Sequence, residues 1–244
     1  MTDVVIVTGA AGGVGSAVVR TLRDRKYRVI GIDVADVYEP GKDSLKIDLS
    51  SLNSTAGVDE LSEQLAEAIN ADRLVGLVNN AALQIVCPFN ELTVEHVINS
   101  LQVNCVAPFV LAKASFDHLK KSHGTIVNIG SIHSKLTKPG FVAYATSKSA
   151  IEGLTRAMAV ELGGDIKVCA IVPAAIATPM LTAGFENNPQ GLNELNSFHP
   201  AGIVGSINEV GKMVSLLIGD SLPFSNGALW NLDGGISGVL HDPG

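Results

Sequence analysis

The chain has 244 residues, enough for one large α/β domain with a sizeable core, and 46% hydrophobic against 17% charged residues exclude a disordered chain. A formal net charge of -7 and a pI of about 5.3 argue against nucleic acid as a partner. Cys87, Cys105 and Cys169 are odd in number and lack CxxC spacing, so neither a disulfide framework nor a zinc site is expected. The N-terminus enters a strand-like VVIV with no basic region ahead of a long apolar stretch. No segment reaches the ~20 apolar residues of a bilayer span, so the expectation is a cytoplasmic protein without membrane contact.

In chain order, a strand at residues 4–7 leads through a glycine-rich turn into a helix at 14–23. Strands at 28–32 and 45–47 precede a helix at 57–70, and a strand at 74–78 precedes one long helix at 93–121. A strand at 125–129, a helix at 144–162, a strand at 167–171, a helix at 208–218 and a strand at 228–231 complete the pattern. Most of these strands are apolar throughout, as strands buried on both faces of a parallel sheet are. The alternation predicts a single-domain α/β fold, a doubly wound (Rossmann) parallel sheet with helices on both faces. The unassigned stretch 178–206, rich in Asn, Gly and Pro, reads as a substrate lid.

The turn after the first strand is Thr8-Gly9-Ala10-Ala11-Gly12-Gly13-Val14-Gly15. Glycines there let the backbone approach a pyrophosphate seated on the positive end of the following helix. Asp33 ends the second strand 20 residues after Gly13, where a ribose-binding carboxylate is expected. No Lys follows the glycines, which excludes a Walker-type loop. A carboxylate accepts hydrogen bonds from both adenosine ribose hydroxyls and repels a 2′-phosphate. Neither residues 10–14 nor Val34 and Ala35 supply a cation, so NAD is favoured over NADP.

Tyr144 and Lys148 form Tyr-x-x-x-Lys on one helix face. A tyrosine acting as a base near neutrality needs its pKa lowered by roughly three units from ~10, and a cation about 4 Å away in a partly shielded site could supply that. Lys148 is the candidate, and it could also hold the nicotinamide ribose. Ser131 lies just past the strand at 125–129, at the carboxyl edge where open α/β sheets place ligands, and its hydroxyl could stabilise developing charge on a substrate oxygen. Asn104 lies inside the long helix, and Pro108 four residues later has no N–H for its carbonyl. A water held there could relay protons from Lys148 to solvent.

With these residues in place the sequence resembles the classical short-chain dehydrogenase/reductase family over nearly its whole length. The loop at 8–15, Asp48, Asn79-Asn80-Ala81, the tetrad Asn104, Ser131, Tyr144 and Lys148, Pro173 with Thr178, and Asp233-Gly234-Gly235 carry the match. The resemblance implies an NAD site lined by Gly9, Gly12, Gly13, Val14, Gly15, Asp33, Asp48, Leu49, Asn79, Ala81, Pro173, Ala174, Ile176 and Thr178, besides Tyr144 and Lys148. It implies that Asp48 binds the adenine amino group and that Asn79 braces the cofactor loop. It implies a homotetramer with two long central helices at an interface. Ala82 and Ala174 depart from the family pattern, each replacing a usual glycine beside the cofactor.

Residues 168–211 contain no Lys or Arg, so a phosphate, coenzyme A or acyl-carrier substrate finds no cation there. A small neutral or weakly polar substrate is favoured, covered by Met180, Leu181 and Phe185 and hydrogen-bonded by Gln84 and His133. Lys135 and Lys138 leave a carboxylate open. His96, His118, His123, His199 and His241 show no metal-ligand spacing. The expected reaction interconverts a secondary alcohol and a carbonyl, with Tyr144 moving the proton. Epimerisation or elimination with bound NAD, and a non-enzymatic NAD sensor, are the alternatives.

Overall fold

The computed structural model describes residues 1–35, 43–186, 188–219 and 222–240; His241 lies outside them. The elements run β1 (Asp3–Thr8), α1 (Gly13–Asp24), β2 (Arg28–Asp33), β3 (Ser44–Lys46), α2 (Thr55–Ile69), β4 (Arg73–Asn79), α3 (Val94–Leu101), α4 (Ala107–Ala114), α5 (Phe116–Ser122) and β5 (Thr125–Ile129). They continue with α6 (Val142–Glu161), β6 (Lys167–Pro173), β7 (Ile176–Ala177), α7 (Pro179–Ala183), α8 (Pro189–Ser197), β8 (Gly205–Ser206), α9 (Ile207–Leu217) and β9 (Leu229–Leu232). Seven strands form one parallel sheet in the order β3-β2-β1-β4-β5-β6-β9. The order reverses between β1 and β4, so the crevice at their carboxyl ends is where a doubly wound sheet places a ligand.

Strand alternation builds a core on each face. Val4 and Ile6 of β1 face one side with Ile30, Leu65, Leu111 and Met158. Val5 and Val7 face the other with Val18, Leu22, Val210 and Val214, the layer in which α1 packs on α9. Both faces are covered, which is why the strands read as continuous apolar runs rather than alternating ones.

The single helix expected at 93–121 is three helices. Residues Gln102–Val106 form a π-turn, with the Ala107 N–H reaching back to the Gln102 carbonyl. Pro108 follows at once and cannot supply the N–H that an undistorted α-ladder would need for the Asn104 carbonyl, so the ladder shifts register here. A second break falls at Ser115, whose hydroxyl bonds back to the Leu111 carbonyl at 2.6 Å. The span Val94–Ala114 has a mean hydropathy of 1.3, high enough for a membrane helix, but 44% of it is buried inside this fold against α2 and α6.

The stretch 178–206 is not structureless. It holds α7 and α8, and its two ends meet in a small parallel ladder pairing Ile176 with Gly205 and Ala177 with Ser206. Asn188 caps α8 through the Gly191 N–H at 2.9 Å.

Candidate active site

The glycine turn closes on itself. Gly9 has φ +63°, and a Cβ there would lie 2.8 Å from Ala81 Cα. A Cβ on Gly15 would sit 1.9 Å from the Gly9 carbonyl oxygen, so no larger residue fits without moving the backbone. At Gly13 an added Cβ would meet the Pro179 ring at 2.8 Å, which places the start of α7 against the turn. Gly12 caps α1 without a side-chain hydrogen bond, and the first turn of α1 carries no acidic residue. The positive end of α1 is therefore uncompensated by the protein, as an anionic pyrophosphate requires.

Asp33 stands beside this turn at the end of β2. Its Oδ2 accepts from the Ala11 N–H at 2.9 Å and its Oδ1 from the Ala35 N–H at 3.1 Å. Each oxygen keeps a further lone pair, enough for two ribose hydroxyls. Asp48 is exposed after β3, and hydrogen bonds from the Ser50 hydroxyl and N–H hold its carboxyl below the ordinary range. Leu49 beside it is buried.

The Asn pair after β4 divides its work differently from the expectation. Asn80 braces the glycine turn, its Nδ2 donating to the Thr8 carbonyl at 3.0 Å and the Gly9 carbonyl at 3.2 Å. Asn79 points into the sheet and donates to Asn128 Oδ1 at 2.8 Å, while Asn128 donates to Thr155 Oγ1 at 2.9 Å. The alternation of side chains along a strand explains the exchange: consecutive residues point to opposite sides, so only one of the two can face the turn. Asn79 Oδ1 is buried and has no partner among the described residues. Ala82 and Ala174, where the family pattern has glycine, have no positive φ and so no backbone strain.

The tetrad converges from three elements: the π-turn carrying Asn104, the turn after β5 carrying Ser131, and α6 carrying Tyr144 and Lys148. Asn104, buried in the π-turn, uses its whole amide: Oδ1 accepts the Leu83 N–H at 2.7 Å, and Nδ2 donates to the Leu83 carbonyl at 2.9 Å and to Ser147 Oγ at 2.8 Å. Ser147 in turn donates to the Tyr144 carbonyl at 2.8 Å. The side chain of Asn104 thus ties the loop after β4 to α6. Ser131 caps the turn after β5; its Oγ accepts the His133 N–H at 3.2 Å and keeps its proton to donate. Lys148 is buried in α6, with Nζ donating to the Ile129 carbonyl at 2.8 Å and lying 5.6 Å from the centre of the Tyr144 ring.

The electrostatics differ from the simple expectation of a lysine-lowered tyrosine. Burial raises the pKa of Tyr144, and a hydrogen bond with Ser131 offsets part of that. Burial pushes Lys148 down to about 8. The neutral phenol is therefore the form this arrangement favours, which suits a proton donor more readily than a base.

Of the substrate-pocket candidates, His133 is drawn closest to the tetrad. Its ring stacks on Phe141 at 4.5 Å and meets Tyr144 edge-on at 5.8 Å. Burial, then the charge of Lys138, lowers its pKa. Lys138 itself lies 4.8 Å above the Phe141 ring. Gln84 is exposed next to the Leu83 that Asn104 grips. Leu181 and Phe185 lie in and just after α7, where Thr178 Oγ1 accepts the Leu181 N–H at 3.2 Å, and Met180 shares that helix. Neither Gln84, Leu181 nor Phe185 makes a hydrogen bond or ring contact with the tetrad among the described residues. Sequence reasoning missed Phe141, Ser147, Asn128 and Thr155. Of these only Ser147 had a signal, its place inside Tyr-x-x-x-Lys.

Comparison with known proteins places this geometry. Residues 9–237 match the family profile described as enoyl-(acyl carrier protein) reductase. The cyclopentanol dehydrogenase of Comamonas testosteroni is 32% identical over 246 residues, covering 95% of this chain and 96% of that protein. The structure of 4-hydroxyisoleucine dehydrogenase complexed with NADH matches with TM-score 0.87 and 27% identity, over 98% of this chain and 100% of that one. A candidate NAD(P)-dependent gluconate 5-dehydrogenase from Beutenbergia cavernae, with bound NADP, matches with TM-score 0.85 and 28% identity over 97% of each chain. The chain belongs to the short-chain dehydrogenase/reductase family, oxidoreductases that work on alcohols and carbonyls with a nicotinamide cofactor.

Proposed function

We propose that this protein is an NAD-dependent oxidoreductase that interconverts a secondary alcohol and a carbonyl on a small, uncharged substrate. The carrying observation is the meeting of Ser131, Tyr144 and a buried Lys148 at the carboxyl edge of the sheet, across the crevice from the glycine turn. The turn braced by Asn80, the bare positive end of α1, Asp33, Asp48 with Leu49, Ala81 and the segment Pro173, Ala174, Ile176 and Thr178 fit the cofactor and would hold it. Bound NAD supplies the hydride acceptor and, in its oxidised form, a positive charge.

The chain's own residues handle the oxygen and its proton. Ser131, accepting the His133 N–H, donates its hydroxyl proton to the substrate oxygen. Tyr144 exchanges the proton on that same oxygen. In carbonyl reduction it is a general acid, the state its burial favours; in alcohol oxidation the phenolate must be stabilised by positive charge in the site. Lys148 contributes that charge and holds a proton for the relay through the Asn104 turn. The stacked His133–Phe141 pair forms a flat, largely apolar wall beside Tyr144, suited to a small cyclic alcohol such as the one named for the Comamonas relative.

Asp33 supports NAD over NADP, since its carboxylate repels a 2′-phosphate and no Arg or Lys lies at positions 10–14, 34 or 35. Exposed Val106, Phe109 and Val142 on the central helices support a homotetramer, which sedimentation would test. Three unpaired cysteines fit a reducing cytoplasm. The deciding experiment follows NADH formation with a panel of cyclic alcohols, polyols and hydroxy acids. Turnover of none of them, with NAD bound, would sink the reading in favour of a sensor.

A further inference from the structure

One buried carboxylate has no part in the chemistry above. Glu152 lies one helical turn beyond Lys148 on α6 and is only 5% exposed. Burying a charge is costly unless it is well partnered. Its nearest cation, Arg156, is 4.0 Å away on a side chain more than half exposed. Its close partner is instead Ser134, whose hydroxyl donates to Oε1. The same hydroxyl lies 2.9 Å from the Ser131 carbonyl, and the Ser134 N–H donates to that carbonyl at 3.0 Å. Ser149 of α6 donates to the Ser134 carbonyl at 3.1 Å. A Cβ added to Gly130 would stand 3.8 Å from Glu152 Oε1, so the carboxylate lies against the residue preceding Ser131.

Ser131 and Tyr144 stand on different elements, a turn after β5 and the helix α6. Their hydroxyls must share one substrate oxygen, and a misplacement of about 1 Å can cost a hundredfold in rate. Besides the Ser131–Tyr144 hydrogen bond itself, the side-chain hydrogen bonds that tie the Ser131 turn to α6 among the described residues run through Ser134, to Glu152 and to Ser149. We propose that Glu152 is a positioning residue that, through Ser134, fixes the Ser131 hydroxyl against Tyr144. This rests on the proposed roles of Ser131 and Tyr144 in the reaction.

The test is a set of double-mutant cycles. Glu152→Ala and Ser134→Ala break the link from opposite ends, so one serves if the other fails to fold. Each is expected to lower kcat about tenfold, the worth of a charge-assisted hydrogen bond, with little change in NAD affinity. Glu152→Gln keeps an acceptor oxygen without its charge and should recover about half of the loss in free energy, roughly threefold in kcat. In a Ser131→Ala background Glu152→Ala should be nearly silent, because the residue it positions is gone; a merely structural role would lower kcat there as well. Equal losses in both backgrounds, or no loss in either, would overturn the proposal.

A readout independent of turnover is the phenolate absorbance titration of Tyr144, isolated by difference from Tyr144→Phe. Loosening Ser131 should raise the Tyr144 midpoint in Glu152→Ala, as in Ser131→Ala. An unmoved midpoint in Glu152→Ala alone refutes the positioning role. An unmoved midpoint and undiminished kcat in Ser131→Ala refute the reading of Ser131 itself.

Discussion

Replacing Asn104 by Ala isolates what this residue does with its side chain. The amide makes three hydrogen bonds, two to the Leu83 backbone and one to Ser147, and is 2% exposed. Each is worth about 0.5–1.5 kcal/mol net, and more where a partner is left buried and unpaired. Leu83 is half-buried and can recover part of its bonding from water, whereas Ser147 is fully buried but keeps its bond to the Tyr144 carbonyl. The expected loss is therefore roughly 2–4 kcal/mol, and at roughly 2–4 °C per kcal/mol for a chain of this size the melting temperature should fall by about 5–15 °C. Urea unfolding followed through Trp230, the single tryptophan, measures it directly. Asn104→Asp should be worse, because its second oxygen would face the Leu83 carbonyl with no proton to offer. A stability change under about 0.5 kcal/mol for Asn104→Ala would show that the Leu83 clamp is energetically idle, since that is the size of an ordinary surface substitution.

Tyr144→Phe should abolish turnover while NAD still binds; retention of more than a few per cent of kcat removes Tyr144 as the proton-transferring group. Wild-type kcat/KM should favour NAD over NADP by at least about tenfold, the worth of a lost charge-assisted hydrogen bond, and Asp33→Ser should shrink that margin. Equal use of both cofactors by the wild type would contradict the role of Asp33. Lys148 has a folded pKa of about 8 against an ordinary 10.5, so between those values the unfolded chain binds the extra proton. Its contribution to stability therefore rises with pH across that window, by roughly 3 kcal/mol, and is flat below it. Urea unfolding at a series of pH values should show that rise in the wild type and lose it in Lys148→Met. Pro108→Ala restores an N–H next to the π-turn and should lower kcat with little effect on cofactor affinity; an unchanged kcat at every pH would leave the kink purely structural.

The strands were legible because burial on both faces writes itself as runs such as VVIV and VIGI, and β5 falls where its apolar run does at both ends. The tetrad was legible because spacing within one helix, or at the end of one strand, is a local property. What could not be read depended on three-dimensional partners. The π-turn had its cause in view at Pro108, yet a missing N–H is locally compatible with either a free carbonyl or a shifted ladder. The exchange of roles between Asn79 and Asn80 follows from which side of β4 faces the glycine turn, which a run of apolar residues buried on both faces does not encode. Helix α8 carried a local signal in Asn188-Pro189, a cap followed by a first-turn proline, outweighed by its polar composition. Glu152 carried no signal in the sequence, because its burial and its bond to Ser134 depend on how the Ser131 turn packs on α6.

The two-residue ladder between β7 and β8 has an evolutionary consequence. It brings Ile176 to within a strand spacing of Gly205, and Ala177 of Ser206, about 4.8 Å, just after the chain leaves β6 and just as it returns. The excursion between them is thereby a closed appendage whose length is nearly free: doubling a flexible loop adds only about 0.6 kcal/mol of closure entropy. Insertions or deletions between α7 and α8 can reshape this appendage while the pinned backbone at Ile176 and Ala177, and the cofactor contacts proposed beside it, stay in register. The appendage can then drift along a lineage without any compensating change in the backbone at Ile176 and Ala177.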